Sequence, residues 1–158
     1  MSKMKKDAII QQFSIASRQY SDASTFMHEA IAREAGLTGS DHKYLGLILQ
    51  HKELTAGDLA VLTGLTTGAV TGLIDRLEKK KLLKRQFTKD DRRKVIIVPN
   101  VENSKKLLQP LFAELQQRTA GLLVSFSIAE IQVIERYFME ATAIMKEITN
   151  NINLQQNN

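Results

Sequence analysis

The sequence predicts a mainly α-helical chain with one small β-hairpin and a long helical region at each end. Apolar residues recur at steps of three and four in several segments, which is typical of amphipathic helices. One β-branched run, Val95 to Val98, ends at Pro99 and Asn100 and indicates a short strand. A chain of 158 residues that is 43% hydrophobic can bury a core.

The first predicted helix runs from Asp7 to Glu34, without any Pro or Gly. Gly36 is expected to end this helix, because glycine adopts the left-handed backbone of a helix C-terminus at little cost. The apolar or small positions follow helical steps: Phe13, Ala16, Tyr20, Ala23, Met27 and Ala30.

Three shorter helices follow, each introduced by a threonine that can accept a hydrogen bond from the first helical turn. Thr38 with Asp41 starts a helix that reaches Gln50, and Thr55 with Asp58 starts a helix from Ala56 to Thr63. Thr66 starts a helix to about Lys81, with a stripe of residues expected to be buried: Val70, Leu73, Ile74 and Leu77. Two short helices joined by a turn with glycine, here Gly64, form a helix-turn-helix arrangement.

The segment after the third short helix predicts a hairpin, or wing. Leu82, Leu83 and Phe87 precede a charged tip at 88–94, and the run from Val95 to Val98 supplies the second strand. The resulting fold class is a winged helix-turn-helix with long helices on both sides.

Two helices complete the chain. The first spans Ser104 to Ser125, where Pro110 should kink the helix or set its start, and Ser127 with Glu130 forms a capping box for the second. The second carries an apolar seam at heptad spacing: Ile131, Ile134, Phe138, Ala141, Met145, Ile148 and Ile152. A long helix with such a seam needs a partner helix, so a homodimer is expected; packing of the terminal helices on each other within one chain is the alternative. The polar tail from Asn153 is expected to fray.

The basic charge is concentrated in one segment. The chain has a net charge of +5, and the stretch from Arg76 to Lys94 holds ten Lys or Arg against three acids, so the rest of the chain is net negative. This distribution is expected of a surface that contacts phosphates, with a solvated charged face as the alternative.

Several function classes are disfavoured. The chain has no cysteine, which excludes disulfides and thiolate sites, and its three histidines, His28, His42 and His51, lack metal-ligand spacing. No nucleophile elbow or phosphate-binding loop occurs, so neither an enzyme nor a cofactor is expected. The absence of a long apolar run predicts a cytoplasmic protein without a membrane partner. Two alternatives remain: a metal-sensing regulator that uses His and carboxylates, for example His42 with Asp41 and Glu residues, and a nonspecific architectural or RNA-binding protein.

If the third short helix enters the major groove, the face opposite its buried stripe points towards bases. Threonines can bond base edges or contact thymine methyl groups, and Arg76 can reach a guanine or a phosphate. Asp75 and Arg76 have an alternative role in an ion pair within the protein, because DNA repels a carboxylate. The candidate contacts are Thr66, Thr67, Gly68, Ala69, Thr71, Gly72, Asp75, Arg76, Lys79 and Lys80.

The hairpin tip supplies a second set of candidates. An arginine in a turn can enter a narrow minor groove, and Asp91 could orient the arginine two positions later. A solvated turn with scattered charges is the alternative. The candidates are Lys89, Asp91, Arg92, Arg93 and Lys94.

The stretch from Leu59 to Lys80, followed by Asp91-Arg92-Arg93, resembles the helix-turn-helix and wing signature of the MarR family of bacterial regulators. The family wing motif, Asp, any residue, Arg, maps onto Asp91 and Arg93. The resemblance covers nearly the whole chain as a single domain, 1–158, with a DNA-binding lobe at 37–100 and dimerisation helices at 7–36 and 104–152. Two departures are Lys81, where many members carry Gly, and Val98-Pro99-Asn100, where the family often reads Leu-Thr.

The resemblance implies a homodimer that binds a pseudo-palindromic site in double-stranded DNA, with recognition helices about one turn apart. Dimerisation would use Ile131, Ile134, Phe138, Ala141, Met145 and Ile148. The resemblance further implies repression that is relieved by a small aromatic or phenolic ligand. The candidate contacts for this ligand are Phe13, Ser17, Tyr20, His42, Tyr44 and Phe112.

Overall fold

A computed structural model of the chain describes residues 3–87 and 95–156. Within these residues the chain forms six helices and three short strands, which confirms the mainly helical fold with a small hairpin. The elements are α1 (Lys3–Glu34), α2 (Gly39–Leu49), β1 (Leu54–Thr55), α3 (Ala56–Thr63), α4 (Thr67–Lys79), β2 (Leu83–Phe87), β3 (Val95–Pro99), α5 (Val101–Val124) and α6 (Ile128–Gln156). The chain divides into two compact units, 1–108 and 109–158.

The sheet has one strand more than the hairpin that the sequence predicts. β2 and β3 pair antiparallel as expected, and β1 adds to the other edge of β3, with Leu54 opposite Ile97 and Thr55 opposite Ile96. A strand of two residues is too short to show a period-2 pattern, and Thr55 also carries the signal that starts α3.

The core of the first unit lies between the end of α1, the helices α2 to α4 and the sheet. All four residues of the predicted stripe on α4 are buried, and so are apolar residues of the neighbouring elements. These neighbours are Ile31, Ala32, Leu45, Ile48, Leu59, Leu82, Leu83 and Ile97.

The predicted threonine caps are present at all three short helices. The hydroxyl oxygens of Thr38 and Thr66 accept hydrogen bonds from Asp41 N and Ala69 N at 3.0 and 3.3 Å. Thr55 and Asp58 form the reciprocal capping box, in which the Asp58 carboxylate also accepts from Thr55 N at 2.8 Å. The local sequence therefore determines where each of these helices begins.

α4 ends at a lysine in the left-handed conformation. Lys81 has φ 59°, its N–H donates to Glu78 O at 2.8 Å, and the N–H of Leu82 donates to Leu77 O at 3.0 Å. These two hydrogen bonds form the Schellman motif, whose left-handed position usually holds glycine. The departure at Lys81 therefore leaves the helix end intact and places a side chain where a left-handed backbone disfavours it.

α5 begins earlier than predicted, at Val101, because Asn100 caps it: Asn100 Oδ1 accepts a hydrogen bond from Asn103 N at 3.0 Å. Pro110 lies inside α5 and does not set its start. No single helix in the described part of the chain is long and apolar enough to cross a membrane. The pair α3 and α4, bent by 112°, reaches that length and apolar composition only when the two helices are counted together.

The second unit contains the remainder of α5 and α6. The Ser127–Glu130 capping box at the start of α6 is present, with the Glu130 carboxylate accepting from Ser127 N at 2.8 Å. Along the seam, Ile131, Ile134 and Ala141 are half-buried, whereas Phe138, Met145 and Ile148 are exposed. One chain alone therefore leaves the later part of this apolar seam in contact with water.

Candidate nucleic-acid interface

The exposed face of α4 is small and uncharged in its first half. Thr67, Gly68, Ala69 and Thr71 are exposed because the buried stripe lies on the opposite side of the helix. The Thr71 hydroxyl donates to Thr67 O at 2.9 Å, so its oxygen remains an acceptor towards solvent. Short side chains let another surface approach the helix backbone closely, as a helix in a major groove must.

Thr66 and Gly72 border this face. The Thr66 hydroxyl oxygen caps the helix by accepting from Ala69 N, and Thr66 is exposed. Gly72 is half-buried, and a Cβ at this position would lie 3.3 Å from Nη1 of Arg76. The absence of a side chain at Gly72 therefore leaves room for the Arg76 guanidinium beside the helix.

Arg76 pairs with an acid on another helix. Its Nε and Nη2 donate to the Asp41 carboxylate at 2.9 and 2.7 Å, and Asp41 lies in the first turn of α2. The Asp41 side chain is only 4% exposed, whereas the Arg76 side chain is 52% exposed. The hydrogen bond to Asp41 raises the pKa of Arg76 from its ordinary value.

Asp75 and Glu78 both pair with Arg85 of β2. The Arg85 guanidinium donates to both carboxylates, and the backbone N–H of Arg85 donates to Glu78 Oε1 at 2.8 Å. That backbone hydrogen bond is the main cause that lowers the pKa of Glu78. These contacts attach the first strand of the predicted wing to α4.

Asp75 and Arg76 thus form ion pairs within the protein, the alternative that their positions left open, but each has a different partner. Sequence reasoning missed both partners. Asp41 already had an interpretation as a capping residue, and no spacing in a single sequence connects it with Arg76, 35 residues later. Arg85 was counted only as part of the basic segment, although the i, i+3 spacing of Asp75 and Glu78 places their carboxylates near each other on a helix.

The two lysines at the end of α4 are exposed. Lys80 Nζ would lie 3.4 Å from a Cβ placed on Gly36, so its ammonium approaches the C-terminus of α1. A helix C-terminus attracts a cation through its partial negative charge. Lys79 is therefore the more available of the two for a phosphate. The wing candidates Lys89, Asp91, Arg92, Arg93 and Lys94 lie outside the described residues.

The predicted ligand-contacting residues are distributed over both units. In the first unit, Phe13 and Tyr20 are exposed on α1, Ser17 and Tyr44 are half-buried, and His42 is buried. Phe112 is half-buried in the second unit. Because the six residues are divided between the two units, a pocket shared by all of them stays a prediction.

His42 lies against His28 of α1, with ring centroids 5.4 Å apart. Burial and the neighbouring His28 lower the pKa of His42. Among the described residues no group of three His, Asp or Glu side chains is placed to hold a metal ion.

The second unit carries an open apolar groove of about 410 Å³ beside the start of α6. Its lining contains Ile134 of the predicted seam and none of the six predicted ligand-contacting residues. The full lining is Phe126, Ala129, Glu130, Val133 and Ile134.

Comparison with known proteins places this architecture in one family. Residues 35–94 match the model of the MarR family. The HTH-type transcriptional regulator YcgE of Bacillus subtilis is 36% identical over 130 residues, which are 82% of this chain and 84% of that protein.

Two solved structures have the same fold. A MepR mutant from a multidrug-resistant S. aureus clinical isolate gives a TM-score of 0.69 at 21% identity, over 84% of this chain and 96% of that one. A second S. aureus MepR mutant, solved bound to an oligodeoxyribonucleotide, gives 0.59 at 21% identity, over 84% and 97%. Together with the winged helix-turn-helix, the similarity to YcgE shows that the chain belongs to the MarR family of transcriptional regulators.

Proposed function

We propose that this MarR-family regulator binds a pseudo-palindromic site in double-stranded DNA as a homodimer and represses transcription until a small ligand releases it. The observation that carries the proposal is the face of α4, where exposed small residues and threonine hydroxyls face solvent in front of a buried stripe. Such a face can approach base edges closely. A regulator of chromosomal DNA would act in the cytoplasm.

Phosphate contacts would come from the basic segment that begins on α4. Lys79 is exposed at the end of α4, and the proposed wing contacts Lys89, Arg92, Arg93 and Lys94, with Asp91 orienting Arg93, follow β2. Cationic side chains on both sides of a reading helix fix its register on DNA. The MepR mutant that was solved with an oligodeoxyribonucleotide supports DNA as the ligand of this fold.

The homodimer is supported by the apolar side chains that a single chain exposes. On α6, Phe138, Met145, Ile148 and Ile152 are each about half exposed or more, and α1 exposes Ile9, Ile10 and Phe13 similarly. Apolar surface of this kind marks an interaction site. A second copy would cover it and would present two α4 helices to the two halves of a pseudo-palindrome.

Relief by an aromatic or phenolic ligand would act through the spacing of the two DNA-binding lobes. A ligand changes the population of the DNA-competent dimer only if it binds one spacing more tightly than the other. Phe13, Ser17, Tyr20, His42, Tyr44 and Phe112 are the proposed contacts, and the contact between His42 and α1 supports a link between α2 and the long helix.

The test is selection of a duplex from a random-sequence pool by the purified full-length protein, followed by titration of the selected duplex and of random duplex over a range of salt. We expect the selected duplex to contain an inverted repeat and to bind as one dimer, at least about a thousandfold more tightly than random duplex. Equal binding of both would contradict sequence-specific regulation and leave the nonspecific architectural protein.

Matched lysine variants locate the phosphate contacts. The slope of log affinity against log salt is negative, and Lys79→Ala should reduce its magnitude by about 0.9, the loss of one phosphate contact. Lys146→Ala, which removes an exposed lysine from α6, should leave that slope unchanged. An unchanged slope for Lys79→Ala would remove the end of α4 from the DNA interface.

A further inference from the structure

We propose that Asp41 is a positioning residue for DNA reading: through Arg76 it fixes the orientation of α4 against α2. The inference rests on the proposed function, because it concerns how α4 is held for base recognition. It assigns Arg76 to the support of the helix and leaves base contact to the threonines.

The geometry of the pair fixes direction as well as distance. Arg76 Nε lies 3.2 and 2.9 Å from the two Asp41 carboxylate oxygens, and Nη2 lies 2.7 Å from Oδ1. Two adjacent guanidinium nitrogens on one carboxylate define a plane, so the pair resists rotation of α4 about its own axis. The apolar stripe packs the same helix without such a directional constraint.

Asp41 itself has a fixed place. Its N–H donates to Thr38 Oγ1 at 3.0 Å in the first turn of α2, and the same helix buries Leu45 and Ile48 completely. The Asp41 carboxylate is almost fully buried. Asp41 therefore belongs to the core of the lobe rather than to its flexible surface.

Arg76 is not free to exchange Asp41 for a phosphate. Removal of the guanidinium would leave a buried carboxylate without its partner, which is strongly unfavourable. Gly72 keeps the required path open, because a Cβ there would come within 3.3 Å of Arg76 Nη1. Burial of the acid and the space beside Gly72 both favour a permanent pair.

Base contacts depend on placement to within about half an ångström. Arg76 lies in the last part of α4, whereas the reading threonines Thr67 and Thr71 lie in its first part. A small rotation at the Asp41 attachment therefore moves the threonine hydroxyls relative to base edges. Phosphate contacts from long, flexible lysines tolerate the same rotation, so loss of the pair should reduce specific binding and spare nonspecific binding.

The experiment uses the selected operator and a random duplex with the full-length protein, well below its melting temperature. For Asp41→Asn we expect about tenfold weaker operator binding, random-duplex affinity within about twofold of wild type, and an unchanged salt slope. Asp41→Asn combined with Arg76→Gln should be no weaker than Asp41→Asn alone, because both changes break one contact.

Two results would overturn the proposal. A lower melting temperature with unchanged operator affinity would mean that the pair only stabilises the fold. Equal losses on operator and random duplex for Arg76→Gln, with the magnitude of the salt slope reduced by about 0.9, would mean that Arg76 contacts a phosphate. If Asp41→Asn does not fold, Arg76→Gln alone carries the test, since the Arg76 side chain is half exposed.

A control pair separates this effect from a general loss of charge. Glu114 and Arg118 form an exposed ion pair on α5, at 3.1 Å, and Glu114→Gln should leave operator affinity unchanged. Failure of the wild-type protein to select any sequence would overturn the proposed function, whereas selection by wild type with undiminished preference in Asp41→Asn would overturn only the role of Asp41.

Discussion

α4 and α6 are both amphipathic helices, but only α4 buries its apolar face within one chain. On α4 the apolar stripe is buried, and Asp75, Arg76 and Glu78 each have an ion-pair partner in the same lobe. On α6 the seam continues at heptad spacing for the length of the helix, yet Met145 is 67% exposed.

The contrast indicates which kind of surface each exposed helix face can contact. A helix whose apolar face and charges are already engaged offers its remaining small, polar face to a polar partner such as DNA. A helix with an exposed apolar face offers that face to another apolar surface. The same helical periodicity thus leaves different faces exposed, depending on what the rest of the chain covers, and we propose DNA as the partner of α4 and a second copy of the chain as the partner of α6.

The largest expected effect is the loss of stability caused by a substitution in the buried stripe of α4. Leu73→Ala should lower the free energy of unfolding by about 2–5 kcal/mol, because Leu73 is fully buried and the substitution leaves a cavity. Denaturant unfolding of the full chain measures the change. Val61→Ala on α3, where the side chain is 83% exposed, is the control and should have little effect. A small loss for Leu73→Ala would show that the α4 core readily rearranges.

The second prediction concerns α6 and its exposed apolar seam. Met145→Glu should weaken the proposed dimer about a hundredfold or more, because a carboxylate would be desolvated in an apolar interface. Sedimentation at decreasing protein concentration measures the dissociation. Lys146→Glu introduces the same side chain one position off the seam and should leave the dimer intact. A dimer that survives Met145→Glu would mean that the second copy uses another surface.

A smaller effect is expected at the end of α4. Lys81→Gly should stabilise the fold by about 0.5–1 kcal/mol, because glycine adopts φ 59° without the steric penalty that a side chain incurs. Lys80→Gly, at a position with ordinary negative φ, should destabilise it. Thermal unfolding of both variants measures the two signs, and a destabilised Lys81→Gly would contradict a strained helix end.

The smallest effect is a pH dependence of the lobe. The folded pKa of His42 is lowered by burial and by His28, so the unfolded chain takes up the proton more readily. The stability contribution is therefore complete above the ordinary histidine pKa of about 6.5 and is lost as the pH falls through the lower folded value. The melting temperature of His42→Gln should fall less than that of wild type over this interval. If the melting temperatures of His42→Gln and wild type fall in parallel with pH, the acid sensitivity comes from a group other than His42.

Local signals predicted the fold well where the chain determines its own structure. Thr38, Thr55 and Ser127 each cap the start of a helix, as the acid three residues later indicates, and Thr66 caps the start of α4 as predicted. The buried stripe of α4 also follows directly from its period. In these cases the interacting atoms lie within one or two helical turns of each other.

The missed features depend on contacts between distant parts of the chain. β1 forms because β3 offers an edge to Leu54 and Thr55, and Arg76 finds Asp41 only because α2 packs near α4. Asn100 caps α5 although it was interpreted as the end of the strand. The face of α4 could therefore be predicted from the sequence, but the partners of its charges required the tertiary structure.

The attachment of β2 to α4 has a consequence for how binding sites would be recognised in a genome. Arg85 contacts Glu78 through its backbone N–H as well as its side chain, which couples the position of β2 to that of α4. In the proposed complex, base changes beneath the wing and beneath α4 would then contribute free energies that do not add. A scoring scheme that sums independent contributions from each base pair should misrank sites that differ at both places.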